Sequence, residues 1–237
     1  RSYSVTGVQT CALPIWGKFT GDEAARIALI ARLITGRRCL VDLEYAHWQA
    51  DSAVRHTLAR ALAGDLSRLI LSEHDFAGRP ADPLAILDAI RAANPRGVAK
   101  LAWRATDARD CLTAFELMAA GRGRTIAIAM GDHGAPSRIL ARKFNAFLTF
   151  ASLDPAAAAA PGQVSIDQMK ALYRADRLTP DTAVFGVVGW PVAHSMSPAI
   201  HNAAFAHAAL DAVYLPWAIE PTYAAFAEFV ADVTGTG

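Results

Sequence analysis

The sequence predicts an α/β fold built on a parallel sheet. Two observations carry this. From Gly17 onward, short apolar runs alternate with stretches of helical periodicity, so the chain repeats strand then helix. The runs are apolar almost throughout, as expected when both faces of a sheet are covered. Composition agrees, with 53% hydrophobic and 19% charged residues in 237. That excludes disorder as the main state and allows one large domain or two small ones.

The elements follow in order. Thr20–Thr35 has helical spacing, with Asp22 and Glu23 in its first turn, where the helix dipole favours acids. Cys39–Tyr45 (CLVDLEY) reads as a buried strand and Asp51–Ala63 as a helix. Arg68–His74 is a strand, Asp82–Ala93 a helix, Val98–Trp103 a strand and Asp107–Ala120 a helix. Thr125–Met130 is a strand with Pro136–Phe144 helical behind it; Phe147–Ser152 (FLTFAS) is the fifth strand, and Ser165–Arg174 is helical. Ala183–Gly189 (AVFGVVG) opens a new strand, and Tyr223–Val233 is amphipathic.

A closed (βα)₈ barrel and an open doubly wound sheet both fit this pattern. An open sheet would show a glycine-rich turn after its first strand. Gly121-Arg122-Gly123 instead precedes a strand. Chemically capable side chains sit at successive strand ends: Asp42 and Glu44, His74, Lys100 and Met130. Barrel active sites occupy that end, so the expectation is a partial (βα)₈ barrel, about five of eight strands. The other three would precede residue 16.

The first fifteen residues have no helical or strand period and no features of a signal peptide. Val5–Ile15 (VTGVQTCALPI) resembles the translation of a sequencing-adapter oligonucleotide, so residues 1–15 are read as an artefact or as disordered. The chain is read as cut at both ends, the second end falling at VTGTG. Asp154–Gly162 (DPAAAAAPG) has the composition of a linker; Ala175–Asp181 is the preferred domain boundary, giving segments 16–176 and 182–237.

A net charge of +1 provides no footprint for nucleic acid or an anionic membrane. No stretch reaches the roughly 18–20 apolar residues of a membrane span. Cys11, Cys39 and Cys111 make no disulfide framework, so a reducing cytoplasm is expected. Small-molecule substrates are the expected partners; a homodimer is compatible with the sequence and not specified by it.

Lys100 lies mid-strand between Val98-Ala99 and Leu101-Ala102. Desolvation disfavours an ammonium, and a neutral amine attacks ketones to form an imine. The competing reading is a lysine reaching from the strand end to solvent. His74 suits proton transfer, or caps a strand–loop turn. Asp42 and Glu44, two apart on a strand, share a face, where they bind a ligand or pair with arginines. Arg138, after Gly134-Ala135-Pro136, is placed for an anionic group or is a solvated surface cation.

In that order, with Ala160–Gln163 (APGQ) following, these residues resemble type I 3-dehydroquinate dehydratases, imine-forming (βα)₈ enzymes of the shikimate pathway. The matching stretches are VDLEY, LSEHDF, AKLAW, IAMGDHGAPSRILARKF, FLTFAS and APGQVSIDQMKALYR, covering Gly17–Arg174. The resemblance implies Lys100 as the imine lysine and His74 as the acid/base. Asp42, Glu44, Met130, Arg138, Phe150 and Gln163 are then substrate-binding, and the alanine-rich segment is a barrel loop. No metal or nucleotide is implied for the dehydratase.

Ala183–Ile219 resembles the opening of shikimate dehydrogenases, with their S-x-S-P element at Ser195–Pro198. The resemblance makes Ser195 and Ser197 ligands of a substrate carboxylate, shikimate or 3-dehydroshikimate. On the residues alone the serines equally cap the following helix. NADP is implied for a full-length dehydrogenase half, its site lying beyond Gly237. The fold expected is thus a partial barrel followed by the first βα part of a shikimate dehydrogenase substrate domain. Trp16-Gly17 falls on a Gly-Gly of the dehydratase family and Ile15 on its Glu. Little or no dehydratase activity is expected of the chain as it stands. Another imine-forming barrel aldolase, or a non-catalytic ligand-binding remnant, are the alternative readings.

Overall fold

Helix starts in this chain are set by side-chain caps. The computed structural model describes residues 22–153 and 163–235. Asp22 Oδ1 accepts the Ala25 amide at 2.7 Å and opens α1 (Glu23–Ile34). Asp51 does the same at Ala53, 2.7 Å, for α3 (Ser52–Ala61). Asp82 accepts from Ala85 at 2.9 Å for α4 (Pro83–Ala93), whose proline occupies the first turn, where no amide donor is needed. The short α2 (Tyr45–Ala50) follows β1 directly.

Strands β1 (Val41–Glu44), β2 (Leu69–Asp75), β3 (Val98–Arg104) and β4 (Thr125–Met130) form one sheet in the order β1-β2-β3-β4. The architecture is α/β with a parallel sheet, as expected. Two compact units divide the described chain. One holds residues up to His74 with Asp82–Leu101; the other holds Asp75–Ala81 and everything from Ala102 onward.

In the first unit, β1 and β2 run parallel with Asp42 opposite Ile70 and Glu44 opposite Ser72. Alternation then decides what each face holds. Val41, Leu43, Leu69 and Leu71 are buried on one face, with Leu58, Leu62, Leu87 and Ile90 also in the unit's core. Asp42, Glu44, Ser72 and His74 fall on the other face.

The second unit packs α5 (Asp110–Ala119) and α6 (Ala135–Ile139) against β4. Trp103, Met118, Ile126 and Ile139 are buried there, and Phe115 stacks on Phe144 at 4.1 Å. Cys111 is buried in α5, and its Sγ donates to the His133 carbonyl at 3.4 Å. Burial pushes its thiol from 9.0 up to about 12. A raised thiol pKa stabilises the fold below the unfolded value near 9.0, and this stability is lost as pH climbs toward about 12. The slope is up to about 1.4 kcal/mol per pH unit. Cys111→Ala is therefore expected to shrink the drop in urea midpoint between about pH 9 and about pH 11; an unchanged drop would show that the thiol titrates freely.

Phe147–Ser152 differs from expectation and is not a strand. Phe147 N donates to Thr125 O at 2.8 Å, and Ser152 makes an isolated bridge with Ser165. A strand needs a continued ladder, and here Thr149 turns its hydroxyl to the Arg138 carbonyl at 3.0 Å instead. Among the described residues the sheet therefore has four strands, where five were expected. The helix expected at Pro136–Phe144 stops at Ile139 and continues as turns. That expected over Ser165–Arg174 contains a π-helical stretch, Gln168–Leu172.

A separate two-stranded sheet pairs β5 (Ala183–Gly189) in parallel with β6 (Ala212–Ala218). Helix α7 (Ser197–His207) crosses between them and α8 (Tyr223–Thr234) follows, capped by Thr222 Oγ1 on Ala225 N at 3.2 Å. Asn202 of α7 donates to Tyr214 O at 2.9 Å and accepts from Tyr214 N at 2.8 Å, locking helix to strand. Among the described residues no helix is long and apolar enough to cross a membrane. The adapter-like segment, Cys11, Ile15, Trp16-Gly17 and the alanine-rich stretch lie outside the described residues.

Candidate active site

Four of the expected side chains meet on one face of the first unit. Lys100 is buried in β3, 3% exposed, and its Nζ lies 2.6 Å from Asp42 Oδ2. His74 Nδ1, at the end of β2, lies 2.6 Å from Glu44 Oε1. The strands explain both pairings. Asp42 and Glu44 share a face because they are two apart. His74 lies two residues beyond Ser72, the register partner of Glu44, and so on the same face.

This geometry changes the reading of Lys100. Its chain neighbours are apolar, which on sequence grounds suggested a bare amine. Across the sheet, however, the amine meets a carboxylate at 2.6 Å, so a resting ammonium has a charge partner. A buried ion pair is retained at a desolvation cost of several kcal/mol per ion. Asp42 and Glu44, expected as ligand-facing carboxylates, are engaged by Lys100 and His74. Glu44 is the carboxylate that lies against the imidazole.

In the second unit, Met130 ends β4 and is half-buried; its carbonyl accepts from Ala105 N at 2.9 Å. The loop that follows is held tightly. Gly131 has φ +88°, and a Cβ on Gly134 would lie 1.9 Å from Ala129 O. Ser137 Oγ accepts from Ala129 N at 3.2 Å and donates to Gly134 O at 2.7 Å. Ser137 was passed over in the sequence; its signal was G-x-x-S-R following a strand.

Arg138 is thereby fixed, 5% exposed, with Nη1 donating to Ala129 O at 3.1 Å. Its Nε is buried and, among the described residues, has no hydrogen-bond partner. Burial pushes the guanidinium down to about 10, still a cation at neutral pH. A buried, under-satisfied guanidinium is an anion site: its planar fork suits a carboxylate. Phe150 and Gln163 are half-buried in non-strand segments.

Ser195 and Ser197 lie side by side at the start of α7, where Ser197 N donates to Ser195 Oγ at 3.3 Å. Ser195 thus partly serves as a cap, and no side-chain bond comes from Met196, the capping position. An open cleft of about 1100 Å³ in the second unit, lined by residues including Thr113, Phe144, Phe185 and Trp217, contains none of the candidate residues. Two of its charged lining groups, Arg79 and Asp110, already pair at 3.3 Å.

A buried lysine–carboxylate pair beside a histidine–carboxylate pair, on one face of a parallel α/β sheet, defines a lysine-centred polar site of the kind built at strand ends. Comparisons identify its family. Residues 15–180 match the type I 3-dehydroquinase model, and residues 187–236 match that of the shikimate dehydrogenase substrate binding domain. The chain is 32% identical over 208 residues to the chloroplastic bifunctional 3-dehydroquinate dehydratase/shikimate dehydrogenase of Arabidopsis thaliana, covering 85% of this chain and 33% of that protein. It is 32% identical over 158 residues to the 3-dehydroquinate dehydratase of Methanocaldococcus jannaschii, covering 67% of this chain and 70% of that one. The solved dehydroquinate dehydratase and shikimate dehydrogenase of S. pombe matches with a TM-score of 0.54 at 26% identity, over 91% of this chain and 40% of that one.

The chain belongs to the type I 3-dehydroquinase family, and its residues 187–236 are similar to the shikimate dehydrogenase substrate binding domain. It spans about a third of the length of the plant relative.

Proposed function

We propose that the full enzyme to which the dehydratase segment, 16–176, belongs converts 3-dehydroquinate to 3-dehydroshikimate through an imine on Lys100. The observation that carries this is the buried Lys100 amine held 2.6 Å from Asp42 in a chain of this family. Asp42 Oδ2 is the atom in reach to take the ammonium proton, freeing the nitrogen lone pair. The amine adds to the ring ketone; the proton held by Asp42 passes to the departing hydroxyl, so water leaves and a cationic imine remains. That cation draws electrons from the neighbouring C–H bond, and His74 removes the proton. The electron pair left behind forms the ring double bond as hydroxide departs, taking a proton from His74. Water then hydrolyses the imine and returns Lys100. Arg138 is assigned the substrate carboxylate.

The test is turnover of 3-dehydroquinate, followed by the ultraviolet absorbance of the conjugated product. Absence of turnover by the intact gene product would overturn the assignment. His74→Ala is expected to lower kcat by about 10²–10⁴-fold with little change in KM. An equal rise in KM would instead make His74 a binding residue.

For segment 182–237, the reading is the opening of a domain that binds shikimate or 3-dehydroshikimate through Ser195 and Ser197. NADP would supply hydride in a full dehydrogenase. The described residues do not fit it: Gly121 and Gly123 lead into β4 rather than from a strand into a helix, so no step here runs through a nucleotide.

A further inference from the structure

Trp190 immediately follows β5 and remains 38% exposed, so it is not a core residue of the small sheet. Among the described residues its aromatic partner is His133, stacked at 4.4 Å with 11° between the rings. His133 belongs to the other family segment, in the loop between Met130 and Arg138. The same imidazole lies with Nδ1 2.8 Å from the Ala218 carbonyl. A carbonyl only accepts, so Nδ1 carries a proton. Ala218 is the register partner of Gly189, and Ile219 N donates to Gly189 O at 3.2 Å. One ring thus sits across the carboxyl ends of both β5 and β6.

The ring is held from its own side. Gly131 and Gly134 fix the loop backbone, and Cys111 Sγ donates to the His133 carbonyl. A second tie lies nearby in sequence, where Arg109, just before α5, pairs with Glu228 of α8. Beyond Trp190 the chain turns through Ser195 N → Val192 O at 3.0 Å directly to the serine pair. Four residues separate Trp190 from Ser195, so anchoring the indole constrains where both hydroxyls can be.

We propose that His133 and Trp190 are positioning residues for the ligand site at Ser195 and Ser197: a side chain of the dehydratase segment sets the geometry of the dehydrogenase segment's substrate loop. This rests on the reading of the two serines as ligands of a shikimate carboxylate. Neither residue touches that ligand; both act through the backbone between Trp190 and Ser197. The stack contributes through ring contact and the Nδ1 bond through the Ala218 carbonyl, so loss of the joint releases the loop and spreads the hydroxyls over many arrangements.

The test is titration of shikimate against the 237-residue chain and its variants. His133→Ala is expected to weaken binding about 5- to 30-fold, with Trp190→Ala giving the same loss. The double variant should be no weaker than either single one, because both break one joint. His133→Phe, which keeps a stacking ring, should recover most of the affinity. Parent-like binding by His133→Ala, or additive losses, would overturn the proposal. If Ser195→Ala/Ser197→Ala binds shikimate as the parent does, the serine reading fails instead. Amide exchange at Ser195 then decides: faster exchange in His133→Ala supports the joint, and unchanged exchange refutes it.

Discussion

Lys100→Met is expected to remove dehydratase turnover and, separately, to destabilise the fold. The catalytic loss follows because among the described residues no other lysine belongs to β1–β3, and without an imine there is no electron sink. The loss is on the order of 10⁶-fold, the low end of enzymatic accelerations. The stability loss comes from Asp42. With its partner gone, a carboxylate only 14% exposed is left without its cation, costing about 3–5 kcal/mol. The double variant Lys100→Met/Asp42→Leu should regain most of that stability and none of the activity, since an apolar pair of similar volume replaces a desolvated ion pair. Urea midpoints and turnover, measured on the same three proteins, separate the two effects. A stable Lys100→Met would mean that Asp42 is compensated elsewhere.

The second large effect is at Arg138, and there stability and function should move in opposite directions. Its guanidinium is buried and, among the described residues, Nε has no hydrogen-bond partner, so a bound substrate carboxylate would relieve a poorly compensated cation. Arg138→Met should therefore lower kcat/KM by about 30- to 3000-fold, the 2–5 kcal/mol of a truncated charge pair. It should also leave the unliganded protein as stable as the parent or more so. Loss of both together would assign Arg138 a structural role through its bond to Ala129 O.

The parallel strands were legible because each is a short, largely apolar run; Thr125–Met130 and Ala183–Gly189 match the structure residue for residue. Phe147–Ser152 has the same apolar character and fails, since strand formation also needs a neighbour to pair with, which composition does not encode. β6 was not separated from its surroundings, with Pro216 inside it reading as a break. α2 is a short turn of helix abutting a strand, and the pattern carried no boundary between them. At the site, the shared face of Asp42 and Glu44 followed from their spacing alone. Which cation each carboxylate meets did not, because register between strands is a long-range property. The stacking of His133 on Trp190 was invisible for the same reason: fifty-odd residues separate them and neither sits in a periodic pattern.

The most direct test of the central claim is reduction with borohydride in the presence of 3-dehydroquinate, with the adduct mapped by peptide mass. A covalent adduct on Lys100, lost in Lys100→Met, is the predicted result. An adduct on another lysine, or none with a protein that still turns substrate over, would contradict it.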